Sequence, residues 1–427
     1  MAAAGSVMVS DLQVAPGGEI WWLEQRPAED GRTVAVRWRD GACRDMTPTG
    51  FIVRSRVHEY GGGAMRIAGG SVILVRDPDG SLWRMPISGG DPEPLTRPDD
   101  GRFADIEPDP ARHRLLAVRE PAGGGGPDAR TTIVAVGLDD GRVETLIDGP
   151  DFTASPRLSP CGGELAWLEW DHPDMPWDAS RLLRATLDAG GRPSDRVPVA
   201  GGRGGPGEEG ESIVEPAWTP GGELLFMSDR DGWWSLYRHA PTAAEGLEVV
   251  FRTQTDLARV PWKLATRSWA IAAPRGIVAG VRLRGRTRLV LVPGRRATGR
   301  RPRVLDDSWA RIEAIAADGT TVAAVATHPS RPTAILRLDL LSEECEVIRE
   351  VPVPRLEAAF VPEPRMLRFP GADGEPTFAW LHPPANPDWE GPAEDRPPLL
   401  VRVHGGPTGA ARLDYDLELR FWTSRGW

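Results

Sequence analysis

The stretch PGGEIWWL at residues 16–23 returns as PCGGELAWL at 160–168 and as PGGELLFM at 220–227. Each copy places a glycine-rich turn directly before an apolar run, which is typical of a β-hairpin. Looser copies, in which a turn again precedes a short apolar strand, start at Ala68, Pro110, Pro274 and Ala317. The chain therefore contains seven units of one kind.

The seven units are regularly spaced. Their mean separation of about 50 residues is the period expected of four-stranded propeller blades. A second strand pattern follows within the units, as at Ser81–Pro86 and Ser235–Arg238, and helical periodicity is nearly absent before Arg365. We therefore predict an all-β fold, a seven-bladed β-propeller over residues 1–364.

Many of the 17 tryptophans lie in or beside the predicted strands. A propeller blade buries its two faces only against its neighbours, and large aromatic rings suit that packing. We expect four of them to pack between blades rather than to bind a ligand: Trp167, Trp218, Trp233 and Trp234.

The pattern changes after the repeats. Two strands are predicted over 366–369 and 377–382, a polar loop over 383–397 and an amphipathic helix over 413–422. Between the loop and the helix, Leu399–Val403 is an apolar run interrupted only by Arg402, as in a buried strand of an α/β sheet. Residues 365–427 are therefore predicted to form the truncated start of an α/β-hydrolase domain.

That predicted strand runs into the sequence His404-Gly405-Gly406-Pro407. In α/β-hydrolases, such a loop lets a backbone N–H approach the substrate carbonyl oxygen and supplies part of the oxyanion hole. Either Gly405 or Gly406 would be the donor, and His404 would position the loop. The alternative is an ordinary tight turn without a catalytic role.

Five stretches resemble the prolyl oligopeptidase family of serine peptidases, in its dipeptidyl aminopeptidase and acylaminoacyl peptidase branch. Two lie near the end of the chain, PPLLVRVHGGPT at 397–408 and WTSRG at 422–426. Three lie in the predicted propeller, RSRVHEYGGG at 54–63, WDHPDMPWD at 170–178 and SDRDGWWSLYR at 228–238. The resemblance thus spans nearly the whole chain.

The resemblance implies hydrolysis of short peptides by a Ser-Asp-His triad, with a propeller that keeps large folded proteins away from the site. No Gly-x-Ser-x-Gly occurs in these 427 residues, so none of the triad is present and hydrolysis by this polypeptide alone is not expected. We expect the N-terminal propeller and oxyanion loop of such a peptidase, and short peptides as partners. The alternative is a non-catalytic propeller that binds peptides or proteins.

Four polar residues in aromatic-rich stretches are candidate substrate contacts: Glu59, Asp171, His172 and Asp174. If they face the channel, a carboxylate among them would hold a substrate's amino terminus by a charge-assisted hydrogen bond. The alternative is that they form turns and hydrogen bonds between blades. No local spacing indicates a metal site, and we predict no metal and no cofactor.

Charge and cysteine content restrict the other classes of function. The net charge of −10 gives no basic surface for nucleic acid, and the basic run at 295–303 is predicted to be a solvated loop. Cys43, Cys161 and Cys345 lack metal-ligand spacing and are expected to be buried free thiols. Without a signal sequence or an 18-residue apolar segment, we expect a cytoplasmic protein that binds no membrane. The sequence does not determine an oligomeric state.

Overall fold

Seven four-stranded antiparallel sheets follow one another along the chain. The structure is a computed structural model, and it describes residues 7–123, 130–205, 208–242, 246–294, 301–406 and 408–427. Blade 1 contains β1 (Met8–Val14), β2 (Ile20–Arg26), β3 (Arg32–Arg39) and β4 (Ala42–Asp45), and blade 2 contains β5 (Met65–Ala68), β6 (Ser71–Val75), β7 (Leu82–Pro86) and β8 (Glu93–Pro94). Blade 3 contains β9 (Arg102–Asp109), β10 (Arg114–Glu120), β11 (Thr132–Gly137) and β12 (Val143–Ile147), and blade 4 contains β13 (Phe152–Leu158), β14 (Glu164–Trp170), β15 (Arg181–Leu187) and β16 (Pro193–Gly201). Blade 5 contains β17 (Ile213–Trp218), β18 (Leu224–Ser228), β19 (Ser235–His239) and β20 (Leu247–Phe251). Blade 6 contains β21 (Trp269–Ala272), β22 (Gly276–Leu283), β23 (Arg286–Pro293) and β24 (Arg303–Asp306), and blade 7 contains β25 (Arg311–Asp318), β26 (Thr321–Thr327), β27 (Ala334–Asp339) and β28 (Cys345–Glu350).

All seven turn motifs fall at the same place, the connection between the first and second strands of a blade. The turn of the first motif lies between β1 and β2, where Gly17 and Gly18 have φ of +90° and +85°. Side chains with a Cβ rarely adopt this left-handed backbone, which explains the paired glycines. The predicted seven-bladed propeller is confirmed.

The first strands line the centre of the ring, and several are joined by carboxylates at β-bulges. Asp11 accepts hydrogen bonds from the Gly63 and Ala64 N–H groups, at 2.9 and 3.2 Å. Asp105 in blade 3 accepts from Ser155 N–H in blade 4 at 3.0 Å. Each carboxylate satisfies backbone donors of the following blade that would otherwise be buried without a partner.

The ring closes between blades 1 and 7. Leu12 and Trp22 of blade 1 share one apolar cluster with Val325 and Ile335 of blade 7. Outside that cluster, the Arg349 side chain donates to the fully buried Glu24 carboxylate at 3.0 and 3.2 Å. Apolar burial and a buried ion pair thus join the two ends of the propeller.

Most of the predicted tryptophan packing is present. Trp167 is fully buried, Trp234 is nearly so, and Trp218 is half-buried against a backbone carbonyl. The prediction is wrong for Trp233, which is 44% exposed, because it lies in the loop before β19 rather than on a strand face.

The expected burial of the cysteines is also wrong. All three are free, but Cys161 and Cys345 are exposed and only Cys43 is half-buried. Cys161 lies in the turn between β13 and β14, and Cys345 begins the outermost strand of blade 7. The Cys345 thiol remains at the surface although it donates to the Asp306 carboxylate of blade 6 at 3.6 Å.

Part of the predicted hydrolase start is present. Strands β29 (Arg365–Pro370) and β30 (Pro376–Leu381) pair as a hairpin, and helix α1 spans Leu417–Thr423. The helix is shorter than predicted because Asp416 caps it, accepting from the backbone N–H groups of Glu418 and Leu419 at 2.9 and 3.2 Å. The domain boundary after residue 364 stays a prediction.

The predicted buried strand at Leu399–Val403 is wrong. Within the described residues this segment forms no strand, and Leu399 and Val403 are 75% and 77% exposed. A strand needs a hydrogen-bonded neighbour, and the hairpin of β29 and β30 does not extend to this segment.

The segment after blade 7 contacts one end of the propeller, which we call the upper face. It is the end at which first strands begin and second strands end, and it includes the connections 46–64, 171–180, 252–268 and 327–333. Thr327 donates to Asp414 at 2.8 Å, and Arg420 donates to the Pro329 carbonyl at 2.6 Å. Helix α1 is therefore fixed to the upper face beside blade 7.

The 3-10 turns are short: Pro27–Glu29, Pro98–Asp100, Pro110–Arg112 and Ala358–Phe360. In the part of the chain that the structure describes, no helix is long and apolar enough to cross a bilayer. Residues 295–300 of the basic run and Pro407 of the His-Gly-Gly-Pro motif lie outside the described residues.

Candidate functional site

Residues 54–63, which we call the crossing segment, span the channel at the upper face. The Leu264 N–H donates to the Gly61 carbonyl at 2.8 Å, and Gly62 and Leu264 form a parallel bridge. The crossing segment leads into blade 2, whereas Leu264 precedes blade 6. Because these blades are not neighbours in a ring of seven, the segment must cross the mouth of the channel to make this contact.

Three consecutive glycines permit the crossing. A Cβ on Gly61 would lie 2.0 Å from the Ser55 carbonyl oxygen, and one on Gly62 would lie 2.2 Å from the Leu264 carbonyl oxygen. A Cβ on Gly63 would lie 2.7 Å from the Asp105 backbone. All three also have left-handed φ, of +66°, +105° and +59°. Only glycine fits this backbone at these contacts.

His58 and Glu59 also adopt left-handed φ, of 54° and 63°. Residues with a Cβ are strained there by about 1–2 kcal/mol, so the surrounding structure must hold them in place. Strained backbone of this kind tends to occur where a loop presents side chains for function.

His58 is the internal anchor of the segment. Its N–H donates to Glu120 at 2.6 Å, and its ring packs edge-on against Phe152 and Trp170 with centroids 5.4 and 5.5 Å apart. Burial lowers the pKa of His58 to about 4. The imidazole is therefore neutral near pH 7 and has a structural role.

Glu59 and Tyr60 follow the anchor and face solvent. The Glu59 carboxylate is exposed and makes no hydrogen bond or ion pair with any residue that the structure describes, although the charge of Arg56 acts on it. Tyr60 is 57% exposed. Its ring lies 5.2 Å from Trp262, whose ring in turn lies 4.3 Å from Trp177. We call Tyr60, Trp262 and Trp177 the aromatic row.

The candidate oxyanion loop reaches the same place. A Cβ on Gly406 would lie 3.7 Å from the Trp262 ring, and Gly406 has φ of +69°. Among the described residues, the N–H groups of Gly405 and Gly406 have no acceptor. His404 is exposed on this loop. Free backbone donors therefore lie beside the aromatic row and the crossing segment.

The other three candidate contacts lie in the 171–180 connection of blade 4. Asp171 pairs with Arg181 at 2.6 Å and accepts from Asp151 N–H at 2.9 Å. Burial alone would raise the pKa of Asp171, but these hydrogen bonds hold it below the ordinary value. Its carboxylate is therefore occupied by the fold.

Asp174 and His172 also have partners within the fold. Arg203 donates to Asp174 through two nitrogens, at 2.7 and 3.0 Å, and holds the pKa of that carboxyl below its usual value. The exposed His172 packs edge-on against Phe152, with ring centroids 4.9 Å apart. These contacts favour the turn-forming interpretation, whereas Glu59 has the free carboxylate that a ligand contact requires.

Sequence reasoning did not identify Trp262. It lies in the polar connection 252–268, outside every recognised stretch, and its position depends on Leu264 pairing with residues about 200 positions earlier. Within the described residues, no group of three or more His, Cys, Asp or Glu could hold a metal ion.

Three solved structures that are similar to this chain are peptidases. A puromycin-hydrolysing peptidase of Mycobacterium tuberculosis is 31% identical, with a TM-score of 0.89 over 100% of this chain and 66% of its own. Acylaminoacyl peptidase of Pyrococcus horikoshii is 15% identical, with a TM-score of 0.67 over 99% of this chain and 64% of its own. Prolyl oligopeptidase B of Galerina marginata is 14% identical, with a TM-score of 0.63 over 89% of this chain and 56% of its own. The last two show the fold alone.

No family model and no curated protein matches the chain. The chain spans 66% of the length of the puromycin-hydrolysing peptidase. That likeness extends over the whole of this chain and agrees with the seven-bladed propeller. The chain therefore resembles the N-terminal, propeller-bearing portion of peptidases of the prolyl oligopeptidase family.

Proposed function

We propose that this chain is the substrate-gating and oxyanion-stabilising part of a peptidase that hydrolyses short peptides. Of the dipeptidyl and acylaminoacyl types, we infer the dipeptidyl type, whose substrates carry a free amine. The proposal rests on one juxtaposition: the loop containing Gly406 and the crossing segment meet at Trp262. The loop with the backbone donors thus reaches the same tryptophan as the segment that carries the Glu59 carboxylate.

The oxyanion step would use the glycine loop. When a nucleophile attacks a carbonyl carbon, negative charge develops on the oxygen, and a backbone N–H fixed beside it stabilises that charge without rearranging. Gly405 and Gly406 carry N–H groups without a described acceptor, so either can serve as this donor. The triad would come from residues other than those of this chain.

The Glu59 carboxylate would hold the substrate's free amino terminus by a charge-assisted hydrogen bond. A substrate whose amino end is anchored at Glu59 would present the carbonyl group of a residue near its amino terminus to the oxyanion donors. An acylated amino terminus would leave Glu59 without a partner, so this contact favours substrates with a free amine. The crossing segment would exclude folded proteins because it spans the channel mouth.

The test uses the full-length protein that contains this chain, with its own catalytic region. We expect a fluorophosphonate to label it covalently, and we expect it to cleave aminoacyl and dipeptidyl anilides. Puromycin, named as the substrate of the Mycobacterium tuberculosis relative, belongs in the panel because it is an aminoacyl amide with a free amine. The same anilides with acetylated amines should be cleaved more slowly.

Two results would overturn the proposal. One is a full-length protein that neither reacts with the fluorophosphonate nor cleaves any of these substrates, and that outcome would favour the non-catalytic propeller. The other is an open reading frame that does not continue into a Gly-x-Ser-x-Gly turn followed by an Asp and a His.

A further inference from the structure

The aromatic row combines three loops from separate parts of the propeller. Tyr60 comes from the crossing segment, Trp177 from blade 4 and Trp262 from the connection between blades 5 and 6. Their ring centroids are 5.2 and 4.3 Å apart. Such long-range convergence needs the crossing segment, because Tyr60 would otherwise stay above blades 1 and 2.

Core packing does not account for Tyr60. The ring is 57% exposed, although its backbone belongs to a strained and tightly packed segment. The buried anchoring of this segment comes from His58 and Val57, whose side chains contact blades 3 and 4. Tyr60 therefore places an aromatic face in solvent, beside the free Glu59 carboxylate.

We propose that the aromatic row binds the side chain of the substrate's amino-terminal residue and gives a preference for aromatic side chains there. This proposal rests on the function proposed above. An amino-terminal residue carries its ammonium group and its side chain on one Cα, so their binding sites must be adjacent. Glu59 and Tyr60 are consecutive and exposed, so the crossing segment carries a carboxylate and an aromatic ring on neighbouring residues.

The carbonyl group of the bound residue must also lie close to the oxyanion donors. Gly406 lies so near Trp262 that a Cβ on it would be 3.7 Å from the ring, so the aromatic row lies between the crossing segment and the oxyanion loop. Aromatic rings prefer edge-to-face or offset contacts with centroids about 4.5–7 Å apart. The 64° angle between the Tyr60 and Trp262 rings presents both an edge and a face to such a ring.

The first experiment measures kcat/KM of the full-length enzyme for phenylalanine and alanine anilides with free amines. Tyr60→Ala and Trp262→Ala should each lower the ratio of the phenylalanine value to the alanine value about tenfold. Trp262→Phe should restore most of the ratio. Trp389→Ala is the control, because Trp389 is 80% exposed and has no ring contact with the aromatic row.

The second experiment needs no catalysis. L-phenylalaninol and L-alaninol carry the amine and the side chain but have no carbonyl to cleave, and tryptophan fluorescence reports their binding to the full-length protein. Phenylalaninol should bind about tenfold more tightly, and Tyr60→Ala should abolish that difference. Equal affinities in the unmodified protein, or a difference that survives Tyr60→Ala and Trp262→Ala, would overturn the proposal.

The two proposals fail in different ways. If the protein reacts with the fluorophosphonate and cleaves anilides without aromatic preference, only the aromatic row loses its assigned role. If the protein is unreactive, the peptidase proposal fails. The binding of phenylalaninol then still shows whether the aromatic row binds an aromatic side chain. Unchanged unfolding midpoints would show that the variants are folded.

Discussion

The crossing segment at 54–63 and the blade 4 loop at 170–178 are alike in sequence and different in structure. Both combine acidic, histidine and aromatic residues, and both resemble the same peptidase family. In the blade 4 loop, Asp171 and Asp174 are paired with arginines. In the crossing segment, Glu59 has no described partner and the backbone is left-handed at five positions.

This difference distinguishes carboxylates that stabilise the fold from a carboxylate that is available to a ligand. A carboxylate already paired with arginine must lose that pair before it binds a ligand, which reduces its net affinity. A free carboxylate on a strained, internally anchored loop loses only water. Recognised motifs therefore do not by themselves indicate ligand contacts, and the state of each carboxylate decides between the two roles.

The largest effect is expected from Gly62→Ala. The new Cβ would lie 2.2 Å from the Leu264 carbonyl oxygen on a backbone with φ of +105°, so the crossing contact must break, at a cost of about 3 kcal/mol. Denaturant unfolding measures this loss. Gly50→Ala is the matched control, because Gly50 has φ of +85° with no neighbour within 4 Å, and about 1 kcal/mol is expected there. Equal losses would mean that the crossing does not depend on this contact.

Acidification should weaken the crossing segment before the blade 4 loop. The folded pKa of His58, about 4, lies below the ordinary value of 6.5, so the unfolded chain binds the proton more readily. His58 should therefore contribute about 1–3 kcal/mol that is present above pH 6.5 and lost as the pH falls toward 4. His58→Asn tolerates the left-handed backbone and should flatten this part of the stability profile relative to the unmodified protein.

The pH profile of stability must be compared between the unmodified protein and His58→Asn, because other buried groups titrate in the same range. Burial raises the pKa of Asp11 to about 6 and that of Glu215 to about 7. Raised carboxyl pKa values stabilise the fold below their unfolded values and lose that contribution as the pH rises. Their effect has the opposite sign and cancels in the comparison. Identical profiles for the two proteins would contradict a buried neutral His58.

Glu59→Gln tests the free carboxylate. A charge-assisted hydrogen bond contributes about 1.5–3 kcal/mol, so kcat/KM for free-amine anilides should fall about 10- to 100-fold. Stability should not change, because no described residue pairs with Glu59. Anilides with acetylated amines provide the internal control and should be insensitive to the substitution. An equal fall for both substrate types would remove Glu59 from amine recognition.

The smallest effect is expected from Asp174→Asn. The ion pair with Arg203 is largely exposed, and exposed pairs contribute little. Anilide kcat/KM should stay within about twofold, with a slight decrease in the unfolding midpoint. A large loss of activity without loss of stability would reverse the assignment of the two loops.

The sequence predicted the propeller well because its signals are local. Pro16, Gly17 and Gly18 determine a turn whatever lies far away, and the other six motifs do the same in their blades. It did not predict the meeting of Gly62 with Leu264, because that contact exists only once the ring of blades has formed.

The remaining failures have the same cause. Leu399–Val403 has the composition of a strand, but pairing depends on a neighbour that no local pattern supplies. The candidate site was predicted in part: Glu59 and the glycine loop were identified, whereas Trp262 carries no motif. Whether Asp171 and Asp174 are free or paired depends on Arg181 and Arg203, which the sequence does not assign to them.

A crystal structure of the full-length protein with L-phenylalaninol bound would show directly which residues hold the amino-terminal residue of a substrate. We expect the ammonium group within hydrogen-bond distance of the Glu59 carboxylate and the phenyl ring against Tyr60 and Trp262. An ammonium group bound to Asp171 or Asp174, with Glu59 still free, would contradict this expectation.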